Sequence, residues 1–90
     1  MNRWNEAWNP YVLNILKRYP KNKHAEEDEA IRKALEVADA QTVAIVDMVY
    51  FGKTKSISGA AEMLFISYST AWRNQMTFRR EVAKNLNLPM

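Results

Sequence analysis

Apolar residues recur at helical spacing along most of the chain, and nowhere do they alternate as a half-buried strand would require. Val12, Leu13, Ile15, Leu16 and Tyr19 share a helical face after Asn9-Pro10, which reads as an N-cap followed by proline in the first turn. Tyr19-Pro20 closes that helix, because a residue before proline is pushed out of the α region. Ile31, Leu35, Ala38, Thr42, Ile45 and Val49 then follow at steps of 4, 3, 4, 3 and 4. That stripe predicts one long helix ending near Phe51-Gly52; a break would fall at Asp39-Ala40-Gln41-Thr42, where Asp39 is a fitting cap. Glu26-Glu27-Asp28-Glu29 loads negative charge onto the start of this helix, where it complements the helix dipole.

The C-terminal half is divided more finely. Gly52 to Lys55 reads as a loop, Ser56 as the N-cap of a short helix from Ile57 to about Phe65, and Ile66-Ser67 as a tight turn. A last helix from Tyr68 to about Leu86 carries Ala71, Gln75, Phe78, Val82 and Leu86 on one stripe. The expectation is an all-α fold: a four-helix single domain over 1–90, with buttressing helices in 1–51 and a helix-turn-helix in 52–90.

Composition agrees with helix and narrows the class. Ninety residues, 48% hydrophobic and 26% charged, with only two glycines and three prolines, suit one small folded domain. No apolar run approaches the roughly 20 residues of a membrane span, and no charged-then-apolar leader opens the chain. With no cysteine there is neither a disulfide framework nor a thiolate metal site. A cytoplasmic protein without membrane association, cofactor or metal is the expectation.

The net charge of +3 is unevenly spread. Seven basic and seven acidic side chains cancel in residues 1–45, whereas six basic residues face three acidic ones in 46–90. A local basic surplus is the footprint of a phosphate-binding surface, although a solvated face gives the same count.

Enzyme chemistry finds little support. Gly52-Lys53-Thr54 resembles the end of a phosphate-binding loop, but the glycine required five residues earlier is Asp47. His24 is the only histidine and has no ligand partner at metal spacing. No nucleophile and base stand together, so a non-enzymatic protein is expected.

The stretch Ser56–Met76 carries the functional signal. Ala61 supplies the small residue where two short helices cross, and Ala60, Leu64, Ile66 and Ala71 fall where they pack together. Ser67, Tyr68, Ser69, Thr70, Trp72, Arg73 and Asn74 then lie on the outer part of the second helix, where bases are read. Arg73 is the foremost base-reading candidate, since its fork matches guanine O6 and N7. Lys53, Lys55, Ser56, Arg79 and Arg80 are candidate phosphate contacts. Trp4 and Trp8, spaced i and i+4, form with Tyr11 a candidate dimer or partner patch, or else a face buried in the core.

Ala61-Glu62-Met63-Leu64-Phe65-Ile66-Ser67-Tyr68-Ser69-Thr70-Ala71-Trp72-Arg73 resembles region four of bacterial sigma factors, whose pattern runs A-E-x-L-G-I-S-x-S-T-V-x-R. Phe65 stands where that pattern has glycine, and Ala71 where it has valine. With its tryptophan-rich start, Tyr-Pro helix end and acidic second helix, the chain is similar to the RinA/ArpU-like late-gene transcriptional activators of phages of Gram-positive bacteria. That resemblance implies sequence-specific binding of double-stranded DNA upstream of a phage operon, in the cytoplasm of a bacterial host, and contact with host RNA polymerase. One small reading helix gives little affinity alone, so a homodimer or a polymerase partner is expected. Two rivals keep their place: a small-terminase-like DNA-packaging subunit, which would form a ring, and a helical adaptor or anti-repressor that binds protein alone.

Overall fold

The structure, a computed structural model, describes residues 7–89. These form five α-helices, α1 (Trp8–Arg18), α2 (Ala25–Val37), α3 (Ala40–Val46), α4 (Ile57–Met63) and α5 (Tyr68–Asn85), with a π-helical turn over Asp47–Phe51 continuing α3. No strand occurs among the described residues, as an all-α fold requires, but there is one helix more than the stripe predicts. The two start boundaries that rest on serine caps fall where expected: Ser56 Oγ accepts from the Gly59 N–H and Ser67 Oγ from the Thr70 N–H, both at 3.1 Å.

The long helix expected over 31–51 is broken. Ala38 and Asp39 are both extended, and the Asp39 carboxylate accepts from the Thr42 N–H at 2.7 Å. The apolar stripe survives the break because α2 and α3 both lay their inner faces on α5. Beyond Val46 the extra residue of the π turn rotates the inward position by one, a known effect of such insertions. Tyr50 is consequently buried, and Val49 only partly so.

The cap bond holds the Asp39 carboxyl below its usual range, the backbone bond from Thr42 being the larger cause. A depressed carboxylate stabilises above its unfolded pKa, and that contribution fades as pH falls through the lower folded value. Asp39→Asn keeps a capping oxygen without the titration. The gap in Tm between wild type and this variant is therefore expected to shrink as pH drops below about 4, read by thermal melts across pH 2–7.

The helix α1 starts earlier than expected. Ala7 is its N-cap residue and makes no side-chain cap bond, so Asn9 lies inside the helix and is not the cap. Pro10 remains in the first turn, where its missing N–H costs nothing. At the other end Tyr19 takes a ψ of 136° before Pro20, and the bond between them is cis. Asn22 ties the connector down, its side-chain amide donating to the Ile15 carbonyl at 2.8 Å and to Asp28 at 2.7 Å.

Two apolar clusters meet along α5. The larger gathers Val12, Ile15 and Leu16 of α1, Ile31 and Ala34 of α2, then Val46, Tyr50, Phe78 and Val82. The smaller is Ile45, Ala60, Ala61 and Ala71, with Leu64 and Ile66 packed against it.

Helix ends turn through left-handed residues that are not glycine. The two 5→2 and 6→1 pairs, Phe65 N–H to Glu62 and Ile66 N–H to Ala61, then Asn87 N–H to Lys84 and Leu88 N–H to Ala83, close α4 and α5 in Schellman fashion. Phe65 has φ 57° and Asn87 58°; after α3 the left-handed residue is Lys53, at 54°, and not Gly52. Phe65 is also 96% exposed, so its ring gains nothing by packing to offset the backbone strain. Relief of about 1–2 kcal/mol of left-handed strain outweighs the roughly 0.5–1 kcal/mol entropic cost of glycine. Phe65→Gly is therefore expected to raise the urea midpoint at unchanged m, whereas Phe65→Ala leaves it nearly unmoved; a lower midpoint for the glycine variant would refute this.

Candidate nucleic-acid interface

Three alanines bring α4 and α5 together. Ala60 and Ala71 are fully buried and Ala61 nearly so, with Ile45 of α3 in the same cluster. Leu64 and Ile66 seal the turn, and Ser67 fixes the direction in which α5 leaves it. The Ser67 hydroxyl is occupied twice, accepting from the Thr70 N–H and donating to Thr70 Oγ1 at 2.9 Å. Both hydroxyls thus serve the cap first, although Ser67 stays exposed and Thr70 half-exposed.

The outer face of α5 presents Tyr68, 54% exposed, Trp72, 43% exposed, and the exposed Ser69, Arg73 and Arg80. Together with Asn9 of α1 and Met76 they line a groove of about 550 Å³ that contains two arginines and no carboxylate. The candidate base-facing residues Tyr68, Ser69, Trp72 and Arg73 are brought together here as the sequence suggests. Asn74 is not: it turns to α3, where its amide donates to Gln41 at 2.9 Å. Lys53, Lys55 and Ser56 are exposed ahead of α4, with Lys55 beside Gly59, Glu62 and Met63.

Arg79 departs from its expected place on the surface. It is 8% exposed, and its Nε and Nη2 donate to the Tyr50 hydroxyl, the former at 3.0 Å, while Nη1 donates to Asn9 Oδ1 at 3.0 Å. A buried guanidinium cannot reach a phosphate, so Arg79 is not a direct anchor. The Tyr50 hydroxyl in turn donates to the fully buried Gln75 side chain at 2.5 Å. Burial pushes the Tyr50 phenol up, and the neighbouring Arg79 pulls against it. Tyr50, Gln75 and Asn9 are the residues that sequence reasoning missed here. One signal existed: Gln75 is a polar residue on the apolar stripe of α5, and a buried amide demands a partner.

Of the aromatic residues at the start of the chain, Trp8 and Tyr11 fall among the described residues and take different places. Trp8 belongs to the larger core cluster and is buried. The Tyr11 hydroxyl donates to Glu27 of α2, which raises its pKa to about 12. Trp4 lies outside the described residues. Tyr11 is therefore a bridge between α1 and α2, and Trp8 a core residue.

Among the described residues, no group of three or more histidine, cysteine or acidic side chains is placed to hold a metal ion, and no helix is long and apolar enough to cross a membrane. His24 is exposed in its connector. No protein-family model, curated protein or solved structure matches the chain.

Proposed function

We propose that this protein is a sequence-specific DNA-binding regulator that lays the N-terminal half of α5 in the major groove. The observation that carries this reading is the carboxylate-free groove of Tyr68, Ser69, Trp72, Arg73 and Arg80 on a helix that crosses α4 at buried alanines, with Leu64 and Ile66 packed at the turn. Such a pair, with its second helix polar and basic outward, has the helix-turn-helix form. Arg73 reads guanine, Trp72 and Tyr68 press on sugar or thymine methyl, and Arg80, Lys53 and Lys55 take phosphates. One short reading helix gives modest affinity, so a homodimer or a host RNA polymerase partner completes the recognition, in line with a phage late-gene activator.

Fluorescence anisotropy of the protein against duplex DNA over a salt series tests the reading. With about four cationic contacts, log K is expected to fall against log salt with a slope of roughly −3 to −4. A preference for the fragment upstream of its own operon over a scrambled duplex identifies a regulator, and equal binding points to a packaging or architectural role. Absence of binding at low salt rejects the DNA reading.

The exposed Phe65 and the 56% exposed Met63 favour a second reading, a helical adaptor that engages protein. In that case Phe65→Ser abolishes partner binding while Arg73→Ala leaves it intact.

A further inference from the structure

Arg79 is a buried cation whose contacts are all with uncharged groups. Its fork is shared between Tyr50 and Asn9, and its guanidinium carbon lies 5.3 Å from the Tyr50 ring centre and 6.0 Å from that of Trp72. No carboxylate forms an ion pair with it among the described residues, where Arg32 alone makes such pairs. A charge taken out of water without an opposite charge is a costly arrangement, and proteins that keep one generally use it. Two of the groups touching it, Asn9 and Trp72, also line the groove on the outer face of α5. The guanidinium therefore sits directly beneath that groove, with Arg73 and Arg80 on its walls.

We propose that this groove is a phosphate seat, and that the bound phosphate supplies the counter-charge Arg79 lacks. Arg80 and the Ser69 hydroxyl touch the phosphate, beside the guanine-reading Arg73; Arg79 acts through the floor, where low dielectric strengthens its field, and holds Trp72 in place from below. The seat's natural occupant is a phosphodiester of the DNA backbone. That assignment rests on the DNA-binding reading, whereas the seat itself rests on Arg79 and the groove. The ligand-free fold carries an unneutralised cation, and binding removes the penalty.

The test compares Arg79→Met, which keeps the bulk and removes the charge, with Arg79→Lys, which keeps the charge and loses the fork. The free Arg79→Met protein is expected to melt at or above the wild-type temperature, because an unpaired buried charge has been replaced by an apolar chain. It is expected to bind duplex DNA about tenfold more weakly, with a salt slope shallower by about one, and to lose most of the DNA-dependent rise in Tm. Arg79→Lys should stay within about threefold of wild-type affinity, since the local charge is retained. A variant Arg79→Met that melts lower yet binds DNA with unchanged affinity and slope would make Arg79 a mere strut and overturn the proposal. Should that variant fail to fold, Arg79→Lys decides: affinity near wild type upholds the seat, and affinity as weak as that of Arg73→Ala overturns it.

Inorganic phosphate, titrated against chloride at constant ionic strength, separates the sources. A phosphate-specific rise in wild-type Tm that Arg79→Met lacks shows that the seat accepts free phosphate, even if duplex DNA proves not to bind. A rise with DNA alone shows that it requires the phosphodiester. No rise with either in the wild-type protein overturns the proposal.

Discussion

Arg73→Ala combined with Arg80→Ala is expected to weaken binding of the preferred duplex by about 2–4 kcal/mol, roughly 30- to 1,000-fold. Most of this comes from Arg73, because an arginine fork on guanine discriminates by about 1–3 kcal/mol. The single variants should separate in character. Arg73→Ala lowers affinity for the preferred site and relaxes the preference over a scramble, whereas Arg80→Ala weakens all duplexes alike and reduces the salt slope by about one. Both side chains are exposed, and neither makes a hydrogen bond or an ion pair among the described residues, so helicity and melting temperature should hardly move. Anisotropy on each variant checks the pattern. Unchanged DNA affinity in the double variant would replace the reader by the adaptor.

The largest stability effect is expected at Leu16. Its side chain is fully buried among Val12, Ile15, Ile31 and Val82, in the region where α1 supports α5. Truncating a buried leucine to alanine costs about 2–5 kcal/mol, the spread reflecting how far the surroundings collapse into the cavity. A chain of this length has a total stability of roughly 5–13 kcal/mol. Leu16→Ala should therefore lower the urea midpoint steeply at unchanged m and, in the less stable half of that range, leave much of the protein unfolded at 37 °C. Because the reading face of α5 does not touch Leu16, DNA affinity per folded molecule should survive at low temperature. A loss below about 1 kcal/mol would mean that α1 is not the support its burial indicates.

The features legible in the sequence are those with a local physical cause. Ser56 and Ser67 announce helix starts through their own hydroxyls, and the alanine spacing of 60, 61 and 71 announces a close crossing. The break at Asp39 is written in the capping residue but hidden in the stripe, because a stripe records which side faces the core and not whether the backbone is continuous. Asn9 misled for a related reason: asparagine before proline suits a cap, yet its amide is taken by Arg79, 70 residues away. No local pattern can announce such a contact. The same holds for Tyr50, which only the extra residue of a π turn rotates inward. Arg79 counted with the surface charges because composition cannot separate a solvated arginine from one folded beneath a tryptophan. Trp8 shows the reverse, an aromatic residue that suggests a sticky surface and is buried in the core, while Tyr11 stays exposed and spends its hydroxyl on Glu27.

The division of the apolar interior bears on how the protein yields. The C-terminal half of α5 is anchored by Val82 and Phe78 among leucine, isoleucine and tyrosine, but its N-terminal half rests on α4 through alanines, which bury little area per residue. Cooperative units with few apolar contacts exchange their amide hydrogens at the lowest opening free energies. The amides of α4 therefore trade deuterium first and those of α1 and the distal turns of α5 last. The outer face of Tyr68 to Arg73 thus rides on the softest layer of the fold, able to settle against a partner's contour while the far end of the same helix stays fixed.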